Sequence, residues 1–160
     1  MARMSGGPAL PPSAVLFACN YNRVRSPIAA GLMRRMFGGG VFVDSVGLRS
    51  SSGRTPDAVD PFAAAVMDEL GLDLASHQPK TFEDLEDQSF DLVISLTPEA
   101  HHRAIELTRR RATDVEYWPT FDPTLADGAR ESVLQAYRDV RDGLEARLRQ
   151  RFGKVLTFGG

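Results

Sequence analysis

Apolar and polar positions alternate between two periods along this chain, and the alternation predicts strands separated by helices. Residues 14–18 (Ala-Val-Leu-Phe-Ala) form a short apolar run of the kind that fills a strand buried on both faces. Residues 27–37 read as a helix, with Ser26 as N-cap, Pro27 at the first helical position and Gly38-Gly39-Gly40 as the stop. A second strand is expected over 41–44, followed by a Ser/Gly/Arg/Pro loop over 48–57. The next helix covers 61–70, with Phe62, Val66, Met67 and Leu70 on one face and Gly71 just beyond its end. Thr81-Phe82-Glu83-Asp84 resembles a capping box that opens a short helix. Residues 91–96 predict a third strand, 98–109 a helix and 115–118 a fourth strand. Residues 129–152 predict the longest helix, with Val133, Leu134, Tyr137, Val140, Leu144 and Leu148 in one stripe.

Strands joined through helices imply right-handed βαβ units and a parallel sheet. The expected fold class is therefore α/β. In such sheets ligands bind beyond the carboxyl ends of the strands. At 160 residues the chain has the length of one domain with a sizeable core. Residues 1–13, rich in Gly and Pro, read as a flexible tail, and 14–158 as a single domain. Nineteen Lys and Arg against 21 Asp and Glu give a net charge of -2, which offers no basic surface for nucleic acid. No apolar run approaches the ~20 residues of a membrane span. A single cysteine rules out an internal disulfide. A cytoplasmic enzyme is the simplest class; the sequence does not set its oligomeric state.

That cysteine is the most informative residue. Cys19 ends the first apolar run, and Asn20-Tyr21-Asn22-Arg23-Val24-Arg25-Ser26 lead into the helix pattern. Unpaired backbone N–H groups and the positive helix end suit both a thiolate and a phosphate dianion. Arg25 adds a planar fork that can grip two phosphate oxygens. The loop 20–24, with Ser26, is thus a candidate substrate cradle around a candidate nucleophile. No His/Asp cluster has metal-ligand spacing, so neither a metal nor another cofactor is implied.

The spacing Cys19-x5-Arg25-Ser26 after one strand, with Asp122-Pro123 near the far end, resembles the low-molecular-weight protein tyrosine phosphatases. The resemblance runs over about residues 14 to 152 and implies a three-layer α/β/α sandwich around a four-stranded parallel sheet. It implies that Cys19 attacks phosphorus, Arg25 clamps the phosphate and Asp122 acts as general acid and then base. It further implies that Ser26 donates to the sulfur, that Asn22 shapes the loop, and that Ser45 and His77 brace it from behind. Asp127, in an Ala-Asp-Gly turn, is the alternative acid.

The chain departs from the family pattern in three places. Tyr21 stands where glycine is usual. Val24 stands where many members carry a second cysteine, so oxidised Cys19 has no internal partner. Thr124-Leu125 follow Asp122-Pro123, and Ser50-Ser51-Ser52 occupy the loop after the second strand, in place of aromatic residues, leaving Tyr21, Trp118 or Phe121 to line the leaving-group side. The expected substrate is a phosphorylated protein or small phosphoester. The alternatives are arsenate reduction with external thiols, or a non-catalytic phosphate-binding module.

Overall fold

The computed structural model describes residues 12–51 and 58–156, with backbone alone for 154–156. Most of the expected N-terminal tail, the centre of the loop 48–57 and the last four residues lie outside the described residues.

Four strands form one parallel sheet in the order β2-β1-β3-β4: β1 (Ala14–Cys19), β2 (Phe42–Gly47), β3 (Leu92–Ser95) and β4 (Asp114–Tyr117). β1 is central, which is why its side chains are apolar on both faces. The chain steps from β1 outward to β2, then crosses back to β3 on the other side. That reversal opens a crevice at the carboxyl ends of β1 and β3. Cys19 is the last residue of β1 and pairs with Gly47, the last residue of β2.

Helices α1 (Arg25–Phe37), α2 (Pro61–Asp68) and α4 (Arg130–Leu156) lie on one side of the sheet, and α3 (Pro98–Thr108) lies on the other. The result is the expected three-layer α/β/α arrangement. The first core layer packs Phe17 and Ile94 of the sheet against Ile28, Leu32 and Met33 of α1 and Leu144, Leu148 and Phe152 of α4. Full burial of each large apolar side chain contributes about 1.5–3 kcal/mol. The second layer packs Leu16, Ala18, Val46 and Val93 against Phe82, Phe90, Ala100 and Ala104.

Several boundaries differ from the sequence reading. β2 runs on to Gly47 instead of stopping at Asp44, because the polar Ser45 finds a buried partner inside the fold. α1 begins at Arg25, and Val24 occupies the N-cap without a side-chain bond. Ser26 is therefore not the cap: it lies inside the first turn, and Pro27 is the third helical residue. Proline fits there because first-turn N–H groups have no helical partner. α2 stops at Asp68, two residues early, and Gly71 turns the chain at φ 75°. α3 ends one residue early, β4 begins one residue early, and α4 continues to Leu156. The box at Thr81 and Asp84 is present and opens a 3-10 turn over Phe82–Leu85.

Candidate active site

The loop between β1 and α1 is held open by bonds to its outer face. Leu48 N–H donates to Cys19 O and Asn20 O, and Arg49 N–H also donates to Asn20 O. The carbonyls of Cys19 and Asn20 are thereby committed to the segment after β2. By contrast, the N–H groups of Tyr21, Asn22 and Val24 donate to no protein group among the described residues. They stay available to an anion, as do the first amides of α1.

Asn22 organises this turn. It is fully buried and adopts φ 57°, a left-handed conformation that asparagine tolerates better than most residues. Its Nδ2 donates to Ser26 Oγ and to Ser45 Oγ, each at 2.9 Å. Its Oδ1 accepts from Lys80 N–H at 2.9 Å and lies 3.1 Å from His77 Nε2. Nε2 also meets Asn22 O at 3.1 Å. Both partners are acceptors, so the His77 ring carries its proton on Nε2. Burial pushes His77 below its ordinary value of 6.5, outweighing the Asn22 bond that raises it. The structure thus brings Ser45 and His77 to the back of the loop.

Ser26 Oγ links Asn22 to the nucleophile candidate. It lies 2.9 Å from Cys19 Sγ and 3.3 Å from Val46 O. Because the hydroxyl already accepts from Asn22, its own proton is left for the sulfur or for Val46 O. Cys19 is 2% exposed, so its sulfur is reached only by a group seated in the loop.

Arg25, the first residue of α1, projects toward the segment after β4. Its Nη1 donates to Thr120 O at 3.0 Å, and its Nη2 lies 3.7 Å from Asp122 Oδ2. Asp122 faces Arg25; Asp127, the other acid considered, is exposed and lines a different cleft. A cleft of about 370 Å³ runs past Asn20, Arg25, Tyr117, Thr120, Phe121 and Asp122. Phe121 is 60% exposed there, whereas Trp118 is 3% exposed and belongs to the core. Tyr21 is 41% exposed, with the Arg49 guanidinium 5.7 Å from its ring centroid.

The remaining loop side chains serve the scaffold. Arg23 Nε donates to Ala58 O at 2.6 Å, and Arg23 O accepts from Asp60 N–H. The Val24 side chain is buried in the core. Asn20 Oδ1 accepts from Thr97 Oγ1 at 2.7 Å, and Thr97 in turn caps α3 by accepting from Ala100 N–H.

Four residues that the sequence reading gave no supporting role hold the site. Gly47 lies so close under the loop that a Cβ would meet Asn22 N and Tyr21 C at 2.7 Å. Thr97 ties the loop to α3. Asp60 caps α2 and receives the Tyr137 hydroxyl at 3.0 Å, joining α2 to α4. Burial, then the Asp60 charge, push Tyr137 well above its ordinary value, so it remains a donor. Thr124 bonds Asp122 through both its N–H and its hydroxyl. Asp60 before Pro61 and Thr97 before Pro98 are visible N-cap signals. Among the described residues, no group of three or more His, Cys, Asp or Glu is arranged to hold a metal ion. Nor is any helix there long and apolar enough to cross a membrane.

Comparison with known proteins agrees with this geometry. A glutaredoxin arsenate reductase from Synechocystis sp. is 30% identical over 141 residues, covering 88% of this chain and 97% of that protein. A solved arsenate reductase in the phosphate binding state is 27% identical, with a TM-score of 0.70, covering 89% of this chain and 98% of that one. A low molecular weight protein tyrosine phosphatase from T. tengcongensis shares the fold, with a TM-score of 0.72 at 20% identity over 88% of this chain and 98% of that one. The family described as low molecular weight phosphotyrosine protein phosphatase matches residues 14–157, and the chain belongs to that family of enzymes.

Proposed function

We propose that the protein is a metal-independent phosphomonoester hydrolase working through a cysteinyl-phosphate. The observation that carries this reading is the alignment at the end of β1: Cys19 Sγ 2.9 Å from Ser26 Oγ, with Arg25 adjoining Asp122 at 3.7 Å. In the first step Cys19 Sγ forms a bond to phosphorus as the bond to the leaving oxygen breaks. Asp122 gives its proton to that oxygen. In the second step Asp122 takes a proton from water, whose oxygen bonds phosphorus while the S–P bond breaks. Phosphate and the thiolate are released. Arg25 and the loop amides hold the equatorial oxygens in both steps, where positioning and charge stabilisation supply most of the catalysis. The Ser26 hydroxyl donates a hydrogen bond to the sulfur as it regains charge, and keeps its proton on Oγ.

Phe121 favours an aryl phosphate, with phosphotyrosine in a protein as the natural form. It presents an exposed ring directly before Asp122, where the leaving group departs. Residues 14–158 act as one domain, and a cytoplasmic location fits the reduced thiol this chemistry needs.

A second reading, arsenate reduction, is favoured by the 30% identical relative of that name. With one cysteine in the chain, such a cycle draws every further thiol from outside. The two readings separate in one assay: p-nitrophenyl phosphate and a phosphotyrosine peptide, against arsenate with glutathione and glutaredoxin. Phosphate release lost in Cys19→Ser supports the hydrolase. Thiol-dependent arsenate turnover without phosphate release overturns it. Phosphate binding with neither turnover marks a binding module.

A further inference from the structure

We propose that Thr124 is a positioning residue that fixes the Asp122 proton on Oδ2, the oxygen facing Arg25. The inference rests on the reading of Asp122 as the acid and adds a residue to it. Asp122 Oδ1 accepts the Thr124 N–H at 3.0 Å and the Thr124 hydroxyl at 2.6 Å. The second distance is typical of a hydroxyl donating to a charged oxygen. Two donors occupy the two lone-pair directions of Oδ1, so a proton placed there displaces one of them. Oδ2 is not engaged in this way. Its charged neighbour is Arg25 Nη2 at 3.7 Å, beyond ordinary hydrogen-bond reach.

The neutral acid therefore carries its proton on Oδ2, on the side where the leaving oxygen departs. The Thr124 proton itself never transfers. It stays on Oγ1 while the Oδ2 proton passes to the leaving oxygen in the first step and is replaced from water in the second. The two bonds also anchor the carboxylate at the start of the 3-10 turn over Pro123–Leu125, limiting its rotation. At this position threonine has a task that an aromatic side chain could not perform through a hydroxyl so near the backbone.

The test compares Thr124→Val, which keeps the shape and loses the hydroxyl, with Thr124→Ser, which keeps the hydroxyl. Each is placed in the wild-type and Asp122→Asn backgrounds and measured for kcat/KM over aryl phosphates of increasing leaving-group pKa. The Thr124→Val variant should lose about tenfold on phenyl phosphate, the scale of one hydrogen bond to a charged acceptor. It should lose less on p-nitrophenyl phosphate and bind inorganic phosphate as wild type does. The serine variant should recover the loss, and Thr124→Val should add nothing to Asp122→Asn. Wild-type behaviour of Thr124→Val, while Asp122→Asn is impaired, overturns the inference and leaves the acid assignment standing. An equal Thr124→Val loss in the Asp122→Asn background also overturns it, because the effect then bypasses the carboxylate. No loss in Asp122→Asn overturns the acid assignment and the inference together.

Discussion

Gly47 shows how closely the loop is fitted to the sheet. A methyl group there would lie 2.7 Å from Asn22 N and 2.9 Å from Asn20 O, and both are backbone atoms that cannot swing aside. Replacement by alanine must lift the loop from β2 and disturb the bonds from Asn22 to Ser26, Ser45 and Lys80. Gly47→Ala should cost about 1–3 kcal/mol of stability, the usual range for overpacking. It should weaken phosphate binding as well. Urea unfolding and phosphate inhibition of p-nitrophenyl phosphate hydrolysis check the two effects. Wild-type values in both would mean that the loop does not need this close approach. The spacing from Cys19 to Arg25 was legible in the sequence because both residues flank one short loop. The resemblance supplied Ser45 and His77. Gly47 was not legible, since its requirement comes from the distant backbone of Asn20, Tyr21 and Asn22 and leaves no local pattern.

At the scale of elements, the segment between α2 and β3 acts as a brace. Lys80 N–H and His77 reach Asn22 from behind, while Lys80 O accepts from Gly47 N–H. His77 has a pH signature. Its folded-state value is depressed below 6.5, so the unfolded chain binds the proton more readily. Its contribution is fully present above 6.5 and is lost as pH falls from there toward the folded value. Urea midpoints should therefore decline below pH 6.5 more steeply for wild type than for His77→Gln. Parallel curves would contradict the brace. Element order was legible from hydrophobic period, but element ends followed tertiary partners. β2 looked finished at Asp44 because Ser45 breaks the apolar run, and only the buried Asn22 amide explains a buried serine at that point of the strand. Ser26 looked like a cap, yet its hydroxyl serves the sulfur and Asn22 instead.

Across the whole molecule, the strand order places the chemistry. β1 lies between β2 and β3, so the loop after it opens at the switch point, and the segment after β4 brings Asp122 across to Arg25. The alternation of strands and helices foretold a parallel α/β sheet; which strand neighbours which depends on packing choices the pattern does not encode. The central claim is that Cys19 carries the phosphoryl group between substrate and water. The direct measurement is intact-protein mass spectrometry after acid quench during turnover of p-nitrophenyl phosphate, with the adduct located by peptide mapping. The account predicts one phosphoryl group on Cys19, accumulating further when Asp122→Asn slows hydrolysis of the intermediate. Steady turnover in Cys19→Ser, with no adduct on Cys19 in the wild type, would contradict it.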